Sequence, residues 1–104
     1  MSDLNVENEI IAKGLIAPRL TPAEIEATIV DEEYVVFASS TFTVCCLTLT
    51  NGFNVSGESA CASPANYDKE LGEQIARRNA VSKIWALEGY LLKQKLHENG
   101  YDNA

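Results

Sequence analysis

Basic side chains are scarce in this chain. Lysine and arginine number 8 against 15 aspartates and glutamates, a net charge of −7. That shortage argues against general nucleic-acid binding, because a phosphate backbone rewards cations and repels carboxylates. Histidine is scarcer still, with His97 alone. A nucleophilic thiol needs a base beside it, and no spacing brings His97 to Cys45, Cys46 or Cys61. Three cysteines, two of them adjacent, make no disulfide framework. There is no Cys-x-x-Cys and no histidine pair, so zinc has no recognisable ligand set. A glycine-rich phosphate loop is also missing. No apolar run reaches the length of a membrane span, and none at the amino terminus reads as a signal peptide. Together these shortages lead us to expect a reduced, cytoplasmic protein, not an enzyme, with no metal, cofactor or membrane partner.

What is present is the composition of one globular domain. The chain has 104 residues, 46% of them hydrophobic, enough to bury a core without staples. Its charge divides it. Residues 1–33 carry eight acidic side chains against two basic ones, a net of −6. Residues 34–98 read as a β-meander followed by a long helix, and 99–104 as a flexible tail.

Local patterns place the elements. Leu4, Ile10 and Ile11 among acidic residues read as a short helix over 4–13, stopped at Gly14. An apolar connector follows, from Leu15 to Leu20. Thr21-Pro22-Ala23-Glu24 is a capping box with proline at the first helical position, so a second helix starts here and ends near Asp31. Tyr34 to Phe37 is rich in strand formers. After a turn at Ala38–Thr41, Phe42–Thr50 and Phe53–Glu58 flank Asn51-Gly52. That dipeptide predicts a two-residue type I′ hairpin. Its register pairs Thr50 with Phe53, Thr48 with Val55 and Cys46 with Gly57. Phe42, Val44, Cys46, Phe53 and Val55 then form the core face. Cys45, Leu47 and Leu49 fall on the other face, which would need an N-terminal helix or another subunit to cover it. Ser63-Pro64 reads as the start of a helix running to Glu98, with Ala76, Ala80, Ile84, Leu87 and Leu91 on one stripe. The expected fold is α+β: a three-stranded antiparallel meander packed against a long C-terminal helix, with short N-terminal helices.

Few residues offer chemistry. Glu58 and Ser59 end the third strand and feed a polar loop through Ser63 and Asn66 to the helix start. A helix start supplies unpaired N–H groups and suits an anion. Arg77, Arg78 and Lys83 form the densest basic cluster, and Trp85 is a potential binding anchor. Direct convergence of Ser63 with Arg77 inside one subunit is not expected, since about 20 Å would separate them along a continuous helix. A second subunit could join them.

One longer pattern stands out. Thr43-Val44-Cys45-Cys46-Leu47-Thr48-Leu49, Asn51-Gly52-Phe53 and Gly57-Glu58-Ser59-Ala60-Cys61 resemble a family of small tailed-phage and prophage proteins. The resemblance continues through Pro64, Asn66, Asp68, Gly72, Asn79-Ala80, Lys83, Trp85 and Leu87-Glu88-Gly89-Tyr90-Leu91-Leu92, and covers about residues 34–96. It implies a phage or prophage setting, in an infected bacterial cell, and supplies no catalytic residue to carry over.

Three functions are open at this point. The leading one is a homo-oligomeric binding protein for host takeover or counter-defence, sequestering a small anionic, nucleotide-type ligand at Glu58, Ser59, Ser63, Asn66, Arg77, Arg78, Lys83 and Trp85. The alternative is an inhibitor that binds a host protein directly, with acidic residues imitating nucleic acid. The third is a small cysteine-dependent hydrolase.

Overall fold

The computed structural model describes residues 3–14 and 18–100. Leu15–Ala17 of the expected connector and residues 101–104 of the expected tail lie outside them. The element order is α1 (Asp3–Ala12), α2 (Pro22–Ala27), β1 (Ile29–Val36), β2 (Thr43–Leu49), β3 (Asn54–Ser59), a 3-10 turn (Pro64–Asn66) and α3 (Lys69–Glu98). The strands form one antiparallel sheet in the order β1-β2-β3. The expected α+β meander with its long C-terminal helix is the observed fold.

The capping box behaves as its residue types require. Thr21 Oγ1 accepts from the Glu24 amide at 3.1 Å, with Pro22 in the first turn. The helix is shorter than expected, however. It ends at Ala27, and β1 begins at Ile29 rather than near Tyr34. Ile29, Val30, Tyr34, Val35 and Val36 are β-branched or aromatic, and this strand preference prevails over the acidic residues between them.

The hairpin departs from expectation by one residue, with large consequences. Gly52 has φ of +88°, but Asn51 does not share a positive φ. Leu49 N–H donates to the Phe53 carbonyl at 2.8 Å, and Gly52 N–H to the Leu49 carbonyl at 2.8 Å. The loop is therefore three residues, Thr50-Asn51-Gly52, the turn-plus-left-handed-glycine type and not type I′. The register becomes Thr48 with Asn54, Leu47 with Val55, Cys46 with Ser56 and Cys45 with Gly57. A shift of one residue exchanges the faces of a strand. Thr43, Cys45, Leu47 and Leu49 are buried, while Phe42, Val44 and Cys46 lie on the outer side and Phe53 is exposed. Val55 keeps its expected place in the core.

α3, rather than the expected N-terminal helix or another subunit, covers the buried face. Ala76, Ala80 and Ile84 are fully buried against Cys45, Leu47, Leu49 and Val55, and Ile25 of α2 completes the cluster. Burying a leucine such as Leu47 contributes about 2 kcal/mol. The two alanines let the helix approach closely, and Gly57 permits more. A Cβ at Gly57 would lie 2.2 Å from Ala76 O and 2.2 Å from Ala80 N.

The long helix starts later than Ser63-Pro64 suggests. Ser63 precedes only the 3-10 turn and makes no side-chain cap. Tyr67 is extended, and Asp68 is the true cap: its Oδ1 accepts from the Leu71 amide at 3.0 Å. The Asp68 side chain satisfies one of the free amides of the helix start, the part Ser63 was expected to play. At the other end the apolar stripe continues past the sheet. Leu87 and Leu91 are exposed and do not extend the core as their spacing implied.

Candidate functional site

An open cleft of about 840 Å³ lies between the three helices. α1 lines it with Val6, Glu7 and Ile10, α2 with Pro22 and Glu26, and α3 with Arg77, Arg78, Val81 and Trp85. Its volume falls within the usual range of small-molecule sites, about 300–1,000 Å³.

Charge within the cleft is largely paired. Arg77 Nη2 bonds Glu26 Oε1 at 2.8 Å and Arg77 Nε bonds Glu32 Oε2 at 2.8 Å. These two carboxylates stabilise the guanidinium and raise its pKa further, while Arg77 holds the Glu26 carboxyl below its ordinary range. An intrahelical partner such as Glu73 is thus not what Arg77 uses. Glu7 is engaged likewise: Arg19 Nη1 donates to Glu7 Oε2 at 2.8 Å, and this bond lowers the Glu7 pKa. Arg78 differs. It is exposed, lines the cleft and forms no ion pair among the described residues. Trp85 lies seven residues on, about two turns along the same side of α3, and is half-buried against the core.

The eight candidate residues do not converge. Arg77, Arg78 and Trp85 meet at the cleft. Ser59 and Asn66 line a separate cavity of about 190 Å³, with Thr41, Cys61, Tyr67 and Gly72. Ser59 Oγ donates to the Gly72 carbonyl at 2.7 Å, and Thr41 Oγ1 accepts from Cys61 N–H at 3.1 Å and donates to the Cys61 carbonyl. These bonds tie the polar loop to the segment before β2 and to α3, which gives those hydroxyls a structural task. Ser63 is exposed in the turn. The Glu58 side chain is exposed on the outer sheet face, across from Val44, while its carbonyl accepts from Asn79 Nδ2 at 2.8 Å. Lys83 is exposed one turn beyond Asn79 and lines neither space.

Sequence reasoning missed Glu26 and Glu32 as partners of Arg77, and Val6 and Ile10 as cleft wall. The carboxylates lie 51 and 45 residues away in sequence, and no local pattern reaches that far. The capping box and the apolar pair of α1 were the only available signals.

Cysteine chemistry gains little from the geometry. All three cysteines are free thiols. Cys45 is fully buried, and burial pushes its thiol pKa up. It faces Tyr34 across β1 and β2, and burial, with Cys45 and Glu32 nearby, pushes the Tyr34 hydroxyl up to about 12. Among the described residues no group of three or more metal-ligating side chains gathers. Nor is any described helix long and apolar enough to cross a membrane.

The pattern running through β2, β3 and α3 has a counterpart. A family profile matches residues 20–96, about three-quarters of the chain. The chain belongs to the phage protein (N4 Gp49/phage Sf6 gene 66) family. No curated protein and no solved structure matches it. The Gp49/gene 66 match begins before the motif that first pointed to phage proteins, taking in Leu20, α2 and β1. It therefore includes Glu26, Glu32, Arg77, Arg78 and Trp85. α1, the outer wall of the cleft, lies beyond the matched residues, so the cleft joins a family scaffold to a segment outside the family match.

Proposed function

We propose that this phage protein is a homo-oligomeric accessory protein that sequesters a small nucleotide-type anion in the cleft between α1, α2 and α3, in host takeover or counter-defence. The observation that carries the reading is the placement of Arg78. Glu7 on the cleft wall is held by Arg19, and Glu26 by Arg77, which it shares with Glu32, so both arginines are engaged by carboxylates. Arg78 is left as a cation without an ion-pair partner among the described residues. It stands on the same side of α3 as Trp85, whose indole gives a base a surface to stack on. Arg77 serves this site by fixing its walls rather than by binding ligand.

The test is a thermal-shift and calorimetry screen of the full chain with mononucleotides and cyclic di- and trinucleotides. A charge-assisted hydrogen bond contributes roughly 1.5–3 kcal/mol, so Arg78→Ala is expected to weaken binding about tenfold or more. Wild-type protein that neither shifts nor releases heat with any nucleotide would refute the reading.

One observation favours the alternative, inhibition of a host protein by acidic mimicry. The outer face of the sheet presents Asp31, Glu33 and Glu58, with Val35, Val44 and Cys46 between them and no basic side chain in register. Reversing Glu33 and Glu58 to lysine would abolish binding to a host partner under that reading and leave nucleotide binding intact under the first. The hydrolase reading draws no support from Cys45, whose buried thiol is kept protonated.

A further inference from the structure

The carboxy-terminal part of α3 has lost its cover. The helix is 30 residues long, about 45 Å, whereas the strands hold 6 to 8 residues, about 20–27 Å. Ile84 is the last fully buried residue of the helix. Beyond it, Leu87, Tyr90 and Leu91 are exposed, Leu91 at 58%. The stripe that packs on the sheet through Ala80 and Ile84 continues as Glu88, Leu91 and Lys95, at helical spacing. With Leu92 and Leu20, these residues line an open groove of about 480 Å³.

The lining of that groove carries Glu24, Glu88 and Glu98 against Lys95, and within it the Glu88–Lys95 pair is self-complementary. Glu88 and Lys95 are seven residues apart on one face, and neither forms an ion pair among the described residues. A two-fold axis through the midpoint of Leu91 and Leu92 places Glu88 of each copy opposite Lys95 of the other. The same axis sets Leu91 against Leu92 and Leu87 against Leu96. An isologous contact requires such a patch, in which i meets j and j meets i.

We propose that two copies of this chain pair antiparallel through the α3 overhang, crossing at Leu91–Leu92, with two Glu88–Lys95 pairs flanking the apolar seam. The contact deepens the homo-oligomer part of the proposed function but does not depend on any ligand. It also relocates the surface that needs a partner. The sequence pointed to the second face of the hairpin, and the structure covers that face with α3.

The experiment is analytical ultracentrifugation of the full chain across a hundredfold range of concentration, without nucleotide. Wild type is expected to reach at least twice 11.4 kDa. Glu88→Lys alone and Lys95→Glu alone are expected to weaken association at least tenfold, and the double reversal to restore most of it. Circular dichroism establishes that each variant is folded. Leu91→Ser, at an exposed position the isolated subunit does not need, supplies a second break in the same seam. A mass of 11.4 kDa throughout would overturn the proposal, and so would an assembly unaffected by both single reversals and by Leu91→Ser. Because no nucleotide is present, failure here is distinct from failure of the cleft to bind.

Discussion

Gly57 has no side chain because the backbone of α3 occupies the place where one would be. An added Cβ would meet Ala76 O and Ala80 N at 2.2 Å, both main-chain atoms within a continuous helix. Neither can turn aside as a flexible side chain would. The helix would have to rise from the sheet along its most tightly packed stretch, where Ala76 and Ala80 are fully buried. Gly57→Ala is therefore expected to destabilise the protein by about 3 kcal/mol, at the upper end of ordinary overpacking. Chemical denaturation read by circular dichroism checks it, and a variant within about 0.5 kcal/mol of wild type would mean that α3 does not lie this close. Nothing local to Gly57 announces the contact. In sequence it reads only as a break in a strand, because the helix that meets it comes some twenty residues later.

At the scale of elements, what was legible was whatever neighbouring residues decide among themselves. The Thr21–Glu24 cap, the strand character of β2 and β3, and the Ala76–Ile84 stripe all arise within a single helix or strand. The hairpin register was not legible, although its turn was. Asn51-Gly52 fits both a two-residue and a three-residue loop, and the choice is made by the faces they produce. The three-residue loop buries Cys45, Leu47 and Leu49 under α3. The two-residue loop would have buried Phe42, Val44 and Cys46 instead. The candidate site was legible only in part, for a similar reason. Arg77, Arg78 and Trp85 share one helix and could be grouped by spacing, whereas Ser59, Ser63 and Asn66 stand apart because the long helix begins at Asp68.

Arg77 also joins elements, clamping α2 and β1 to α3 through Glu26 and Glu32. The Glu26 carboxyl is held below its ordinary range in the folded state by this bond. Its contribution is thus present at neutral pH, above the unfolded carboxyl value of about 4.3, and is lost as pH falls through the folded value. The pair is substantially solvent-exposed, so the contribution is at most about 1 kcal/mol. Melting curves between pH 7 and pH 3 should show wild type more stable than Arg77→Gln at neutral pH and the two converging in acid. A constant gap across that range would mean that the clamp contributes nothing through charge.

As a whole the molecule is more extended than a chain of its size needs to be. Its radius of gyration is 16.9 Å with a long axis of 53 Å, against about 13 Å for a compact domain of this length. The α3 overhang adds to that length, and its Leu87, Tyr90 and Leu91 are exposed. An extended subunit with an uncovered helix is the form expected of one part of an assembly, and an assembly multiplies the cleft on each subunit. Acidity is spread differently from the basic residues. Most of the acidic surplus lies in residues 1–33, where Glu7 pairs with Arg19 and Glu26 and Glu32 with Arg77, while Arg78 stays available on α3. A protein with a net charge of −7 repels anions at long range. Under the proposed function a nucleotide would be recognised at short range, through Arg78 and the stacking surface of Trp85, and binding is then expected to depend only weakly on salt.

Native mass spectrometry of the full chain, mixed with a panel of cyclic di- and trinucleotides, reads assembly and ligand together. The account predicts a species at a multiple of 11.4 kDa that gains the mass of at least one nucleotide and largely loses that gain in Arg78→Ala. A bare 11.4 kDa species with every nucleotide offered would contradict it.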